Sequence, residues 1–281
     1  SHRSRVAAGV TSLSRRTRLD RSRSPGVHLL GASGVTFVAV NEGVTLSVPH
    51  RRITVGATAN LRDIGDYPAG STRTQWGRLF RSDAPRTVDG LTALGLRTVI
   101  DLRDDAELDA QPTGLHAIVP AVLHRPLRPR PLVTADVLGA PDRLAELYIG
   151  MLRHRGPQLA RIVTDLARPG ALPALVHCAA GKDRTGVVVA LVLSAIGVPD
   201  DVVVADYALT GDHLTPAFFA TLPAASAATD EGVETLRGAR PESMAAMLRF
   251  LADEHRGARA YLIRHGTPAE AIEHLRTALT H

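Results

Sequence analysis

Two short stretches near the start of the chain predict a β-hairpin. Val35–Val40 and Val44–Val48 are rich in β-branched residues and flank Asn41-Glu42-Gly43, a typical turn sequence. Arg52–Val55 is a candidate third strand. Farther along, short apolar runs bounded by polar residues predict buried parallel strands, which would lie at Leu96–Leu102, Leu172–His177 and, more weakly, Val122–Pro126.

Helical spacing of apolar residues is clear over Arg143–Leu166, where Gly156-Pro157 predicts a break. Thr185–Ile196 is apolar on nearly every face, which indicates a helix buried against a sheet. Further helices are predicted at Asp201–Leu209, Pro241–Glu254 and Pro268–Leu279. Strands that alternate with helices predict an α/β fold with a central, mostly parallel sheet flanked by helices. The Ala-, Pro- and Thr-rich stretch Pro216–Arg240 is either a mobile cover or a plain loop.

The positive charge of the chain belongs to its first residues. The whole chain has a formal net charge of +5, yet residues 1–25 alone contain seven arginines and one aspartate. The remainder is therefore close to neutral, which argues against a nucleic-acid-binding domain. We expect residues 1–25 to be a disordered basic tail, with a nucleic-acid or membrane arm as the weaker alternative.

One cysteine excludes an internal disulfide framework. No uncharged run reaches the roughly 18–20 apolar residues of a membrane-spanning helix, and no apolar signal-peptide core is visible. We therefore expect a cytoplasmic protein, or one exported without a recognisable signal peptide. The 12 histidines are scattered without ligand spacing, so no metal or other cofactor is expected.

The strongest chemical pattern is Val-His-Cys-Ala-Ala-Gly-Lys-Asp-Arg-Thr-Gly at residues 176–186. A predicted strand runs into a short loop of small and polar residues, and the loop runs into an apolar helix. This layout points backbone N–H groups and the positive end of the helix dipole at one place. The sequence therefore predicts an anion-binding site.

The residue types in this loop suit phosphate chemistry. Cys178, near the helix N-terminus, can exist as a nucleophilic thiolate. Arg184 offers a planar fork for two phosphoryl oxygens, and Gly181 lets the backbone approach the anion closely. The Thr185 hydroxyl is predicted to donate to the Cys178 sulfur, and His177 to orient the loop through hydrogen bonds.

The Cys-x5-Arg-Thr spacing resembles the signature of the protein tyrosine phosphatase superfamily. The whole loop resembles the atypical bacterial tyrosine phosphatases of the secreted mycobacterial PtpB type, which also act on phosphoinositides. Four other segments look like the same family, in the same order: Asn60–Gly65, Leu79–Ser82, Thr98–Arg103 and Ala205–Tyr207. The resemblance spans residues 58–281. It implies a tyrosine phosphatase-like fold and hydrolysis of phosphotyrosine through a phosphocysteine, with phosphoserine, phosphothreonine and phosphoinositides as further candidate substrates.

The same resemblance suggests boundaries within the chain. Residues 26–281 would form a single phosphatase domain, in which residues 26–57 are a hairpin extension and residues 200–250 a lid. The implied phosphate-binding residues are Ala179, Ala180, Gly181, Lys182, Asp183 and Arg184.

The general acid that protonates the leaving oxygen has two candidates. Asp101 ends a predicted strand, so it would lie at the same edge of the sheet as the loop. Asp183 lies inside the loop itself. Either carboxylate could instead be structural, Asp101 as a cap or an ion-pair partner of an arginine and Asp183 as a brace of the loop. The preference is slightly for Asp101.

Three charged residues each allow two interpretations of their role. Lys182 is either a solvent-facing lysine or an extra phosphate contact that favours doubly phosphorylated substrates. Arg62 and Asp63 either brace the loop or form a surface ion pair.

Two other classes of protein compete with a phosphatase. Sulfurtransferases and arsenate reductases also use a loop cysteine, but the Arg-Thr closure and the lack of further thiols disfavour them. The non-enzyme alternative is a catalytically silent phosphate-recognition module, which the combination of Cys178 and Arg184 disfavours, since a pure binder needs no nucleophile.

Overall fold

The computed structural model describes residues 51–127, 137, 139–223 and 238–281, together with the backbone of three strands that precede them. These strands are β1 (Leu29–Gly31), β2 (Val35–Val40) and β3 (Val44–Pro49), which pair antiparallel in that order. Val40 pairs with Val44, so the predicted hairpin is confirmed. The predicted tail at residues 1–25 lies outside the described residues.

The main sheet has five strands, of which four are parallel. In chain order the strands are β4 (Arg62–Asp63), β7 (Leu79–Ser82), β8 (Thr98–Asp101), β9 (Ala121–His124) and β10 (Ala174–His177). Their spatial order is β4-β7-β10-β8-β9, and only β4 is antiparallel, to β7. A small hairpin, β5 (Pro68–Ala69) with β6 (Thr72–Arg73), connects β4 to β7.

The three predicted parallel strands are confirmed in shorter form, but the predicted strand at Arg52–Val55 is wrong. In that stretch only Arg52 forms a bridge, with Arg62. The chain then turns at Gly56 and Ala57, which both have a positive φ, so it leaves the edge of the sheet before a ladder can form.

Nine helices occur in the described part of the chain, in addition to 3₁₀ turns at Leu91–Leu94 and Leu115–Ala117. They are α1 (Asp105–Ala110), α2 (Arg143–Leu166), α3 (Asp183–Ala195), α4 (Asp200–Ala208), α5 (Thr210–His213), α6 (Pro216–Phe219), α7 (Pro241–His255), α8 (Ala258–Arg264) and α9 (Ala269–Leu279). The break predicted in α2 lies at Arg155, whose φ of −127° and ψ of 18° are not helical. Pro157, two residues later, cannot continue the helical hydrogen bonds, which explains the kink.

The predicted cover over Pro216–Arg240 is described only in part. Its first residues form α6, while residues 224–237 lie outside the described residues. A cover over the site therefore stays a prediction. In the described part of the chain, no helix combines the length and the apolar character needed to cross a membrane.

Helix α3 lies at the centre of the larger hydrophobic core, as its all-round apolar pattern predicts. All residues from Arg184 to Leu193 are buried. The helix packs against β10 on one side and against α2, α4 and α8 on the others. A smaller cluster, which includes Phe80, Val99 and Leu175, covers the opposite face of the sheet. Because side chains alternate along a strand, the sheet has an apolar layer on each face.

The register of the parallel strands places their carboxyl ends together. His177 at the end of β10 pairs with Ser82 of β7 on one side and with Asp101 of β8 on the other. The residue that follows is Cys178. The cysteine loop therefore emerges from the middle of the sheet, between the ends of two neighbouring strands.

Candidate active site

The loop from Cys178 to Lys182 connects β10 to α3. Helix α3 begins at Asp183, two residues earlier than the pattern predicts, so Arg184 and Thr185 lie in its first turn. Cys178, the chain's one cysteine, is only 2% exposed. Its thiol thus lies at the base of a loop whose far end is a helix N-terminus.

Four consecutive carbonyl oxygens of this loop each accept a hydrogen bond from residues that lie around it. From Cys178 to Gly181 the donors are His177 Nδ1 (3.3 Å), the Ala84 N–H (3.1 Å), Asn60 Nδ2 (3.0 Å) and, for Gly181, Asn60 Nδ2 (3.1 Å) with Arg81 Nη2 (3.0 Å). Because the C=O and N–H of a trans peptide point in opposite directions, the N–H groups that follow these carbonyls face the other way. Those of Ala179, Ala180 and Gly181 donate to no oxygen of the described residues. This arrangement is a backbone cradle for an anion.

Gly181 is the residue that lets this loop pack against β7. Its φ is +65°, and a Cβ on it would lie 2.3 Å from the carbonyl carbon of Ser82 and 2.5 Å from the backbone nitrogen of Asp83. No side chain fits there without displacing backbone. The glycine is therefore needed both for its conformation and for the close approach of two backbone segments.

The Arg184 guanidinium is held by Glu107, a residue that the sequence analysis missed. Nη1 and Nη2 donate to the two Glu107 carboxylate oxygens at 2.6 and 2.7 Å, and Nη1 also donates to the Leu102 carbonyl at 3.2 Å. Burial alone would lower the pKa of Arg184, but Cys178 and Glu107 raise it above its usual range. The guanidinium is thus a fixed positive charge beside the thiol.

Glu107 is fixed in turn by the start of α1. The Asp104 side chain accepts from the Glu107 N–H at 3.1 Å, and Glu107 accepts from the Asp104 N–H at 2.9 Å, which completes a capping box. The Asp-x-x-Glu spacing is the signal in the sequence that could have identified this helix start.

Asp101 has the geometry of a structural carboxylate. It is 2% exposed and accepts hydrogen bonds from the Arg103 side chain, including one of 2.7 Å from Nη2, and from the Arg103 N–H. His177 Nε2 lies 3.5 Å from Asp101 Oδ2. Burial alone would raise the pKa of Asp101, but His177 and Arg103 outweigh burial and lower it to about 2. The ion pair with Arg103 is the structural role that the sequence analysis gave as the alternative for Asp101.

Asp183 keeps part of its carboxylate accessible beside the loop. Its side chain is 28% exposed, and Oδ1 accepts from the Tyr148 hydroxyl at 2.6 Å. Tyr148 in turn contacts the Tyr207 hydroxyl at 2.6 Å, so a buried tyrosine pair fixes one oxygen of the carboxylate. Oδ1 also lies 3.3 Å from Lys182 Nζ, whereas Oδ2 accepts no hydrogen bond from the described residues.

Lys182 is buried, so the prediction of a solvent-facing lysine, one of the two alternatives, is wrong. The residue is 2% exposed, and its Nζ donates to the Gly238 carbonyl at 3.1 Å and lies 3.3 Å from Asp183 Oδ1. Burial of an ammonium group requires such partners. Lys182 therefore joins the loop to the segment that leads into α7.

Arg62 supports the loop, but Asp63 does not contact it. Arg62 is completely buried and donates through Nη1 to the Asn60 side chain, which holds the loop carbonyls. The Asp63 carboxylate accepts from the N–H groups of Gly65 (2.8 Å) and Gly77 (2.7 Å). The predicted role of Asp63 in bracing the loop is corrected: it fixes the connection between β4 and β7. The surface ion pair, the other reading, is also wrong because both residues are buried.

Thr185 has no hydrogen bond to the cysteine in this structure. Its hydroxyl is buried and has no partner among the described residues. A buried hydroxyl without a hydrogen-bond partner is costly and rare. Because the Thr185 hydroxyl has no other acceptor in the described part of the chain, it can donate to a charged acceptor that forms nearby. Within the described residues, no group of three or more His, Cys, Asp or Glu side chains is arranged to hold a metal ion.

A strand–loop–helix anion cradle with a buried thiol and a fixed arginine is the arrangement of cysteine-dependent phosphatases. The sequence profile of the tyrosine phosphatase family matches residues 53–281. The chain belongs to this family of phosphomonoester hydrolases, and the resemblance seen in the sequence is confirmed.

Two relatives show how far the similarity extends. The tyrosine-protein phosphatase of Nostoc commune is 30% identical over 218 residues, which cover 72% of this chain and 71% of that protein. The triple specificity protein phosphatase PtpB of Mycobacterium tuberculosis is 34% identical over 194 residues, which cover 55% of this chain and 67% of that protein.

Replacing Gly181 tests the close approach of the loop to β7. We expect Gly181→Ala to weaken the binding of inorganic phosphate by more than about tenfold, because the added Cβ displaces the loop backbone. Gly170→Ala is the matched control, since Gly170 also has a positive φ of 77° but no atom lies within 4 Å of the place that a Cβ would occupy. The control is expected to cost about 1–2 kcal/mol of stability and to leave phosphate binding intact. Equal effects of the two substitutions on binding would contradict the interpretation.

Replacing Glu107 tests the orientation of Arg184. We expect Glu107→Gln to lower kcat/KM for an aryl phosphate about 10–100-fold, because one charge-assisted hydrogen bond to the guanidinium is lost. Asp104→Ala, the control, breaks the same capping box from its other end and does not touch Arg184. It should cost about 1 kcal/mol of stability, measured by denaturant unfolding, with kcat/KM retained. Similar kinetic losses in both variants would assign Glu107 to helix capping alone.

Proposed function

We propose that the protein hydrolyses phosphomonoesters through a phosphocysteine formed on Cys178. The observation that carries the proposal is the cradle itself: inward-facing N–H groups and the Arg184 guanidinium surround one buried thiol. Hydrogen-bond donors aimed at a developing charge in a buried site stabilise a phosphoryl transition state. A site that only bound phosphate would gain nothing from a nucleophile at its base.

The reaction would proceed in two displacements. The Cys178 thiolate attacks phosphorus, the bond from phosphorus to the ester oxygen breaks, and Asp183 donates its proton to that leaving oxygen. Water then attacks the phosphocysteine while Asp183 accepts a proton from it. The sulfur–phosphorus bond breaks, which releases inorganic phosphate and restores the thiolate.

Asp183 is the better general acid of the two candidates. Asp101 is fully engaged by Arg103 and has a pKa of about 2, whereas Asp183 keeps one carboxylate oxygen free beside the loop. The unpartnered Thr185 hydroxyl is the proposed donor to the sulfur when the phosphocysteine breaks down. Arg184 is the proposed ligand of two phosphoryl oxygens in both steps.

Phosphotyrosine is the proposed substrate, with phosphoserine, phosphothreonine and phosphoinositides as further ones. Family membership supports the first, and the name of the PtpB relative, which refers to triple specificity, supports the rest. The buried Lys182 is a second positive charge on the loop, and it is the proposed extra contact for substrates with more than one phosphate.

Cys178→Ser tests the covalent mechanism. We expect the variant to lose hydrolysis of 4-nitrophenyl phosphate and to keep phosphate binding, because the serine hydroxyl is a much weaker nucleophile in the same cradle. Acid quenching with a ³²P-labelled substrate should trap a phosphoprotein only in the intact chain. Phosphate binding without turnover in the intact chain would instead leave a phosphate-recognition module as the better account.

Leaving-group dependence distinguishes the two carboxylates. Asp183→Asn is expected to lower kcat about 10²–10³-fold on phenyl phosphate and far less on 4-nitrophenyl phosphate, whose leaving group needs little protonation. Asp101→Asn should reduce both rates alike, since it releases Arg103 and His177 without removing the acid. The reverse pattern, with leaving-group dependence only in Asp101→Asn, would restore Asp101 as the acid.

A further inference from the structure

Beneath the loop lie three charged residues that the mechanism does not use directly: Arg62, Arg81 and Asp206, here called the arginine cluster. All three are at most 2% exposed. Asp206, on α4, accepts from Arg62 Nε at 3.2 Å through one oxygen and from Arg81 Nη1 at 2.6 Å through the other. Its backbone carbonyl accepts from Arg62 Nη2 at 2.8 Å. One carboxylate thus orients two buried guanidinium groups.

Both guanidinium groups connect Asp206 to the loop through hydrogen bonds. Arg81 does so directly, because its Nη2 donates to the Gly181 carbonyl at 3.0 Å. Arg62 does so through Asn60. Arg62 Nη1 donates to Asn60 Oδ1, and Asn60 Nδ2 donates to the carbonyls of Ala180 and Gly181. Two separate routes therefore connect one carboxylate to the Gly181 carbonyl, and the route through Asn60 also reaches the Ala180 carbonyl.

These peptide groups determine where the loop N–H groups point. A carbonyl held outward by a donor fixes its own peptide plane, and the N–H of that plane then faces the anion. The carbonyl of Ala180 controls the N–H of Gly181 in this way. Without a donor, a buried carbonyl would rotate toward another partner, since an unsatisfied carbonyl costs free energy. The direction of the cradle thus depends on donors that never touch the ligand.

We propose that Asp206 and Arg81 are positioning residues that align the loop N–H groups for phosphate. Asp206 acts on the Ala180 and Gly181 carbonyls through Arg62 and Asn60, and Arg81 holds the Gly181 carbonyl directly. Together these contacts are here called the clamp. The inference rests on the proposed phosphate chemistry of the loop. The cluster also has a net positive charge, because two guanidinium groups share one carboxylate, and that charge would attract an anion without any positioning. Positioning and simple attraction make opposite predictions for Asp206.

Asp206→Asn separates the two effects. The substitution removes a negative charge near the loop, so simple attraction would tighten phosphate binding. If Asp206 positions Arg81 and Arg62, phosphate binding weakens instead, by about tenfold, the effect of losing one charge-assisted hydrogen bond. The measurement is the Kd of inorganic phosphate by calorimetry, with the thermal midpoint Tm recorded for the same samples.

Two further variants keep the test decisive if Asp206→Asn does not fold. Arg81→Lys keeps the charge but loses the planar fork that joins Asp206 to Gly181, so about tenfold weaker phosphate binding is again expected. Tyr67→Phe is the control: the Tyr67 hydroxyl donates to Asp206 Oδ1 at 3.1 Å, and none of its hydrogen bonds reaches the loop. It should lower Tm and leave the phosphate Kd unchanged.

Each outcome decides the question. Weaker phosphate binding in Asp206→Asn and Arg81→Lys, with Tyr67→Phe unaffected, supports the clamp. Tighter binding in Asp206→Asn, or a lower Tm with an unchanged Kd in both cluster variants, overturns it. Calorimetry does not require turnover, so a chain that binds phosphate without hydrolysing esters would refute the proposed function and leave this test intact. Hydrolysis with cluster variants of unchanged Kd would refute only the clamp.

Discussion

A turn that points several N–H groups at one spot must turn the same number of carbonyl oxygens away from it, and here those oxygens are buried. Each needs a donor from elsewhere in the protein. The loop after β10 meets this requirement with four donors: His177 at the end of β10, Arg81 and Ala84 at and just after the end of β7, and Asn60 before β4. The pairing of β10 with β7, and of β7 with β4, is what brings Arg81, Ala84 and Asn60 within reach.

Four buried arginines lie around the site, and each forms an ion pair with a carboxylate. Arg184 has Glu107, Arg103 has Asp101, and Arg62 and Arg81 share Asp206. An isolated buried charge is far more costly than a paired one, so these pairs must form together with the fold. The neighbouring His177 and the pairing with Arg103 together lower the pKa of Asp101, against the effect of burial.

The features that the sequence could predict are those formed by residues close together along the chain. The strand, loop and helix around Cys178 are contiguous, and their order was enough to indicate an anion site and the α/β fold. The contacts of Glu107 and Asp206 were missed because their partners lie 77 and 144 positions away, and no local pattern reports such contacts. For Asp101, the sequence predicted the place at a strand end and left an ion pair with an arginine open. The structure shows that ion pair with Arg103, only two residues along.

The distance along the chain between the loop and its donors has a consequence for folding. Asn60 and Arg81 are separated from the loop residues they hold by 120 and 100 positions. Contacts of such long range form only when most of the sheet has assembled. In a partly folded chain that lacks these contacts, the N–H groups around Cys178 are therefore not oriented. The anion cradle depends on the completed topology of the sheet.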